Sequence, residues 1–187
     1  MGLSMARRSR KRVKAEQVHY GSLKTSWGTL WVVVTKKGLL ALSFRKQPAG
    51  KLAEGLGKRV EIQLSRDSEV LKPYETALTN FLDGLSSRVK IPVDLRGESD
   101  FARRVYDVIQ KIPSGETRSY AQVASSVGGR QFARAVGQAL SANPIPIIIP
   151  CHRVVGSDGK LGGFSSGLTW KRRLLALERG QQVLVVK

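Results

Sequence analysis

Apolar positions along this 187-residue chain follow two regimes that change near residue 97. From residue 18 to 44 they come in short runs, where "TLWVVV" and "LLALSF" flank "TKKG". That pattern predicts strands joined by a hairpin turn, with Gly38 at a position needing positive φ. Residues 46 to 60, with scattered Gly, Lys and Pro, read as a loop or weak helix. Leu71, Tyr74, Leu78, Phe81 and Leu82 then recur at helical spacing, and "VKIPVDL" reads as a strand closing the first unit.

After "RGES" the period becomes helical. Asp100 is placed to cap a helix whose Phe101, Val105, Val108, Ile109 and Ile112 form one stripe, with Pro113 as its stop. Ser119 and Gln122 carry a capping-box signature for a short helix ending at Gly128-Gly129. A second helix is expected over about residues 131 to 142, stopped by Asn143-Pro144. Two short helices around a glycine turn make a helix-turn-helix candidate. On the second, Phe132, Val136, Ala139 and Leu140 point toward a core. Arg130, Gln131, Arg134, Gln138 and Ser141 lie on the other side, with Gly137 at the edge. A mid-helix glycine costs roughly 1 kcal/mol relative to alanine. It is tolerated best where another backbone comes close, and DNA is one such backbone; an ordinary amphipathic surface helix fits the same pattern.

Pro144 and Pro146 force an extended chain, and residues 147 to 149 read as a buried strand that ends at Cys151-His152. A turn at "GSDG" and a glycine-rich loop, "GGFSSG", follow. The last helix, about 168 to 179, is expected to turn Leu174, Leu175 and Leu177 inward and Lys171, Arg172 and Arg173 outward. The organisation that results is a basic, disordered tail (1–17), an α+β unit (18–97) and a helical unit (98–187).

Charge narrows the partners. Lys and Arg total 32 against 14 acids, a formal +18, which favours a polyanion, with nucleic acid first and an anionic membrane surface second. A merely solubilising surface is the plain alternative. Arg7, Arg8, Arg10, Lys11, Arg12 and Lys14 concentrate part of the excess in the tail, as a non-specific DNA contact or a localisation signal. No stretch approaches the roughly 18 apolar residues of a membrane span, and the N-terminus lacks the apolar core of a secretory signal. One cysteine forms no internal disulfide, and with two histidines it argues against a structural zinc site. A reducing, intracellular location follows.

That single cysteine, Cys151, stands beside one of the two histidines, His152. A lone cysteine is often a small buried apolar residue. As a nucleophile it needs a base, since a thiol of pKa about 8.5 is only a few per cent ionised at neutral pH. Glu178 sits near a helix C-terminus, where an anion is unfavourable, so a partner such as His152 would explain it. Neighbouring side chains on a strand point to opposite faces, so direct Cys151–His152 contact would need a turn or a bridging water.

Together, "IPSGETRSYAQVA", "ARAVGQAL", "NPIPIIIPCHRVVGSDGKLGGF" and "KRRLLALE" resemble the O6-alkylguanine-DNA alkyltransferases over about residues 112 to 180. The family's Pro-Cys-His-Arg-Val signature stands intact from Pro150 to Val154. The resemblance implies an α+β fold: an N-terminal RNase H-like small antiparallel sheet with a helix, then a winged-helix-like domain with the helix-turn-helix. It implies that Cys151 takes the alkyl group, that His152 is its base through a water, and that Glu178 orients His152. Asn143 would hold the segment, and Tyr120 would donate to the guanine ring. It implies too that the base is flipped through the minor groove. Arg134 would fill the gap in the stack, with Ala135 and Gly137 against the groove and Arg130, Gln131 and Gln138 as further DNA contacts. Backbone at Cys151, Val154 and Ser165 would read the guanine edge, beside Phe164.

Phe132 stands where the family usually has a small residue, and Phe164 where tyrosine is frequent. The implied partner is double-stranded DNA containing O6-alkylguanine, met by a cytoplasmic, nucleoid-associated monomer with no cofactor and no membrane contact. An S-alkyl cysteine is a thioether with no good leaving group, so each chain should act once. Rival readings are a DNA-binding regulator or lesion binder without chemistry, and a cysteine hydrolase that would turn over.

Overall fold

The short apolar runs in the first third of the chain build a sheet. A computed structural model describes residues 16–54, 60–64 and 69–181; residues 1–15 of the expected basic tail lie outside them, while its last two, Glu16 and Gln17, belong to the first strand instead. Strands β1 (Glu16–Thr25), β2 (Gly28–Thr35) and β3 (Gly38–Ser43) form an antiparallel meander, with Tyr20 opposite Val33 and Thr35 opposite Gly38. Gly38 has φ +135°, and a Cβ there would stand 2.4 Å from the Pro92 carbonyl. Both the turn and the close approach therefore require glycine.

Among the described residues of the 46 to 60 stretch there is a short helix, α1 (Ala49–Leu52), and β4 (Val60–Leu64) pairs in parallel with β1. The sheet order is β3-β2-β1-β4. The alternating Val60-Glu61-Ile62-Gln63-Leu64 is the signal for this unpredicted strand.

"VKIPVDL" is not a strand. Pro92 lacks an N–H, and the segment makes a single bridge at Leu39 and Val93, through Leu39 N to Pro92 O (2.9 Å) and Asp94 N to Leu39 O (2.7 Å). Helix α2 (Lys72–Leu82) buries Tyr74, Leu78, Phe81 and Leu82, as its spacing requires. Leu30, Val32, Val34 and Leu39 face that helix's core, while Val18, Tyr20, Val33 and Leu40 form a smaller cluster with Ala53.

The second half is helical. In α3 (Asp100–Ile109) the cap is Ser99, whose Oγ accepts from Ala102 N at 3.2 Å. Asp100 is the first helical residue, where its charge suits the helix N-terminus. The buried face runs through Ala102, Val105, Tyr106 and Ile109, and leaves Phe101 and Val108 half-buried at its edge. Helix α4 (Tyr120–Val127) carries the complete capping box and ends at Gly128. A 3-10 turn (Arg130–Phe132) leads into α5 (Ala133–Ser141), which buries Val136 and Leu140. Phe132, expected in the core, is 40% exposed.

Two-residue strands β5 (Arg118–Ser119) and β6 (Val154–Val155) pair in parallel, and α6 (Leu168–Glu178) closes the described chain. The fold is α+β, with an N-terminal sheet and C-terminal helices sharing one core. None of the described helices is long and apolar enough to cross a membrane.

Candidate active site around Cys151

Residues 147 to 149 form a tight turn instead of the expected strand. Ile147 has φ +78°, and Ile149 N donates back to Ile145 O at 3.0 Å. Two prolines remove the N–H groups that a ladder would use. Asn143 fills the turn: its Oδ1 accepts from Ile145 N (3.0 Å), and its Nδ2 donates to Ile149 O (2.9 Å) and to Cys151 Sγ (3.1 Å). Pro144 O accepts from Leu42 N at 2.8 Å, which ties the turn to β3. Cys151–Arg153 is a 3-10 turn, so successive side chains splay around an axis and the two-face problem of a strand disappears.

Behind the thiol, His152 is completely buried, and its Nε2 lies 2.8 Å from Glu178 Oε1. A carboxylate only accepts, so Nε2 carries the proton and Nδ1 keeps its lone pair. Among the described residues Nδ1 has no hydrogen-bond partner, although it is buried. Glu178 also accepts from Arg153 Nε (3.0 Å) and Nη2 (2.8 Å) and from Gly115 N (3.2 Å). Arg153 Nη1 donates to Ile112 O at 2.6 Å. Burial pushes the Glu178 carboxyl up, but the His152 and Arg153 bonds outweigh it and hold the pKa at about 2. Burial moves His152 the other way, below its ordinary value and toward the neutral ring. An anion at an unfavourable helix end is thus compensated by two partners from the Cys-His-Arg turn.

Lys171 was expected outward and is completely buried. Its Nζ donates to Val154 O (2.6 Å) and to Leu161 O, and it lies 6.0 Å from the centroid of the Tyr120 ring. Arg173 also turns in, 4.1 Å over Trp27, which leaves Arg172 exposed as expected. Burial brings the Lys171 pKa down to about 8, so it remains mostly charged at neutral pH. Burial pushes the Cys151 thiol up to about 11, against the Asn143 bond and the Lys171 charge.

Cys151 opens on a cavity of about 430 Å³ lined by Tyr120, Gly137, Leu140, Phe164 and Ser165, among others. Tyr120, first residue of α4, brings its hydroxyl beside Gly162, where a Cβ would come within 3.1 Å of the oxygen. Phe164 packs toward Phe44 at 6.5 Å, and Phe44 packs on Trp170 at 4.1 Å, so the N-terminal half holds the glycine-rich loop in place. Burial raises the Tyr120 phenol, which stays protonated as a donor.

This geometry has close counterparts. Residues 18–95 match the 6-O-methylguanine DNA methyltransferase ribonuclease-like domain, and residues 100–180 match the DNA-binding domain of the same proteins. The inducible methylated-DNA–protein-cysteine methyltransferase of Bacillus subtilis is 35% identical over 150 residues, 80% of this chain and 83% of that protein. A methylated-DNA–protein-cysteine methyltransferase of Methanosarcina barkeri is 37% identical over 163 residues, covering 86% and 97% of the two chains. The crystal structure of Mycobacterium tuberculosis OGT in complex with DNA superposes with a TM-score of 0.76 at 33% identity, over 90% of this chain and 97% of that one. The chain belongs to the methylated-DNA–protein-cysteine methyltransferase family.

Within this methyltransferase fold, Cys151, Tyr120, Gly137, Phe164 and Ser165 share the cavity. Asn143 bonds the thiol itself, while His152 and Glu178 are bonded to each other. Val154 is fully buried and not part of the lining. Arg130, Gln131, Arg134 and Gln138 are exposed, and Ala135 is half-buried. No group of three or more His, Cys, Asp or Glu placed to hold a metal occurs among the described residues. Sequence reasoning missed Arg153 and Lys171. Arg153 follows directly on Cys-His, and an acid at a helix C-terminus was the signal that a cation had to face it.

The thiol's protonation gives a direct check. Iodoacetamide labelling of Cys151, the chain's only cysteine, is expected to accelerate about tenfold per pH unit and to keep doing so well past pH 9. In Lys171→Met, labelling should be slower below pH 8, with the gap closing as wild-type Lys171 loses its charge. A wild-type plateau near pH 8.5, or a gap independent of pH, would contradict the assignment.

Proposed function

We propose that Cys151 accepts the alkyl group of O6-alkylguanine in double-stranded DNA, irreversibly and once per chain. The observation that carries this reading is a lone thiol, held by Asn143, opening on the cavity that Tyr120 and Gly137 also line. The relative from M. tuberculosis is in complex with DNA, and the excess of 32 basic over 14 acidic residues suits the same partner here.

The steps follow from the resting protonation states. The base flips out through the minor groove, because its O6 substituent is out of reach inside the stack. Arg134 fills the gap it leaves, and Arg130, Gln131 and Gln138 contact the same duplex, with Ala135 against the groove. The Cys151 thiol passes its proton through a water to Nδ1 of His152, the lone pair left free by Glu178. The thiolate attacks the alkyl carbon; the S–C bond forms as the C–O6 bond breaks, and that electron pair stays with guanine. Tyr120 donates to the ring as charge develops, and a proton returns to guanine, so the net change moves the alkyl group to sulfur and the thiol proton to the base. Backbone at Cys151, Val154 and Ser165 reads the guanine edge. Lys171 holds the Val154 and Leu161 carbonyls and favours the thiolate. The same reading divides the chain at 97/98 and places a monomer in the cytoplasm with the nucleoid.

Intact mass and peptide mapping after mixing with duplex containing O6-methylguanine test it. One methyl group, confined to the Cys151 peptide and saturating at one per chain, is expected. A bound lesion without mass change would leave a lesion-binding protein, and repeated turnover would leave a hydrolase.

Gly137 separates fold from function. A Cβ there would meet the Tyr120 ring at 3.8 Å, an ordinary contact. Gly137→Ala should therefore keep or raise stability, by up to about 1 kcal/mol from helix propensity. Transfer from duplex should fall at least about tenfold, since the added methyl narrows the base's entrance. Thermal melts beside single-turnover rates decide this; a variant that is both less stable and fully active would refute it.

A further inference from the structure

Phe132 is the most exposed aromatic side chain among the described residues, at 40%. It ends the 3-10 turn two residues before Arg134, at the start of α5. Its ring is held in place: the centroid lies 6.1 Å from that of Phe101 on α3, and a Cβ at Gly128 would come within 3.3 Å of its Cε2. Arg104 sets its guanidinium 5.8 Å from the Phe101 ring. Arg104 is exposed and makes no ion pair among the described residues. Arg103, Arg130 and Arg134 are exposed nearby in sequence, against Asp100 and Asp107 on α3, which leaves the patch net positive.

We propose that Phe132, Phe101 and Arg104 form a second duplex contact beside the recognition helix. The aromatic pair packs on the deoxyribose edge of one strand, and Arg104 takes a flanking phosphate. An apolar ring pair that carries the Arg104 guanidinium beside it matches a sugar–phosphate strand, whose apolar sugars alternate with anions; an apolar protein partner would leave that charge unpaired. A fixed ring also loses little side-chain freedom on binding. The contact reads no bases and extends grip along the duplex. It rests on the DNA-repair reading above.

The experiment is fluorescence anisotropy with an undamaged 16-bp duplex across a salt series, on the full chain and on Phe132→Ala and Arg104→Gln. Thermal melts and alkylation by the free base O6-methylguanine run alongside. Phe132→Ala should weaken binding about tenfold, the scale expected for withdrawing most of an aromatic side chain from water, with the salt slope unchanged. Arg104→Gln should lower the slope of log K against log salt by about 1. Both variants should keep wild-type melting and wild-type reaction with the free base. Unchanged or tighter binding by Phe132→Ala overturns the proposal, as does an unchanged slope for Arg104→Gln. If the wild-type chain neither binds the duplex nor accepts a methyl group from it, the repair reading itself has failed, before the variants are compared.

Discussion

Cys151→Ala is expected to abolish alkyl transfer completely and to leave duplex affinity within about twofold of wild type, because the side chain is 5% exposed and outside the proposed DNA-contacting face. The chain has no other thiol to take over the reaction. The substitution also spares the scaffold. Asn143 Nδ2 loses Sγ but keeps Ile149 O at 2.9 Å, so the amide is not stranded in the interior. Losing one buried sulfur should cost about 1 kcal/mol, well within the margin of a folded domain. Intact mass after incubation with methylated duplex, beside anisotropy on the same sample, reads both halves of the expectation. Any methyl adduct on the variant would place the nucleophile elsewhere. Lost DNA binding would mean that the thiol segment itself forms part of the duplex-binding surface.

Glu178→Gln should have the second largest effect, and on two properties at once. The carboxylate is completely buried and neutralises Arg153 while orienting His152. An amide leaves the Arg153 charge buried with weaker acceptors, which costs about 3 kcal/mol. It also removes the anion that would stabilise the imidazolium, and a slowing of about 10²-fold is expected. Acid distinguishes this from generic damage. The folded-state pKa is held at about 2, below the unfolded value of about 4.3. The stabilisation is therefore complete above the unfolded value and fades as pH falls toward 2. Urea melts at pH 7 and pH 3 should show wild type losing much of its advantage over the variant at the lower pH. An advantage that does not change with pH would exclude the buried carboxylate as its source.

Local chemistry made some of this structure legible. Ser119 and Gln122 form their cap from groups three residues apart, and Leu71, Tyr74, Leu78 and Phe81 mark a helix that needs no distant partner to be read. The Cys-His-Arg turn was legible as chemistry but not as shape. Residues 147 to 149 look like a strand by composition, yet the pairing groups are removed by Pro144 and Pro146 and replaced by the side chain of Asn143. Lys171 illustrates a different gap. Helical periodicity assigns a lysine to solvent, and only the carbonyls of Val154 and Leu161, brought in from other segments, give its ammonium a home. Phe132 was misplaced for a similar reason: the 3-10 turn before α5 breaks the angular count that put it in the core.

The conformation of Ile147 sets how portable this chemistry is. A β-branched residue at φ +78° is unfavourable by about 1–3 kcal/mol on its own. Here the side chain is buried, and the flanking turn is pinned by Asn143 from one side and by Leu42 of β3 from the other. An excised peptide spanning 143 to 153 would relax out of that bend and release its sulfur as an ordinary, solvated thiol. Grafting the Pro-Cys-His-Arg-Val string onto another loop would fail for the same reason. The nucleophile is a property of the whole folded chain, with the N-terminal sheet serving as the clamp that keeps its bend closed.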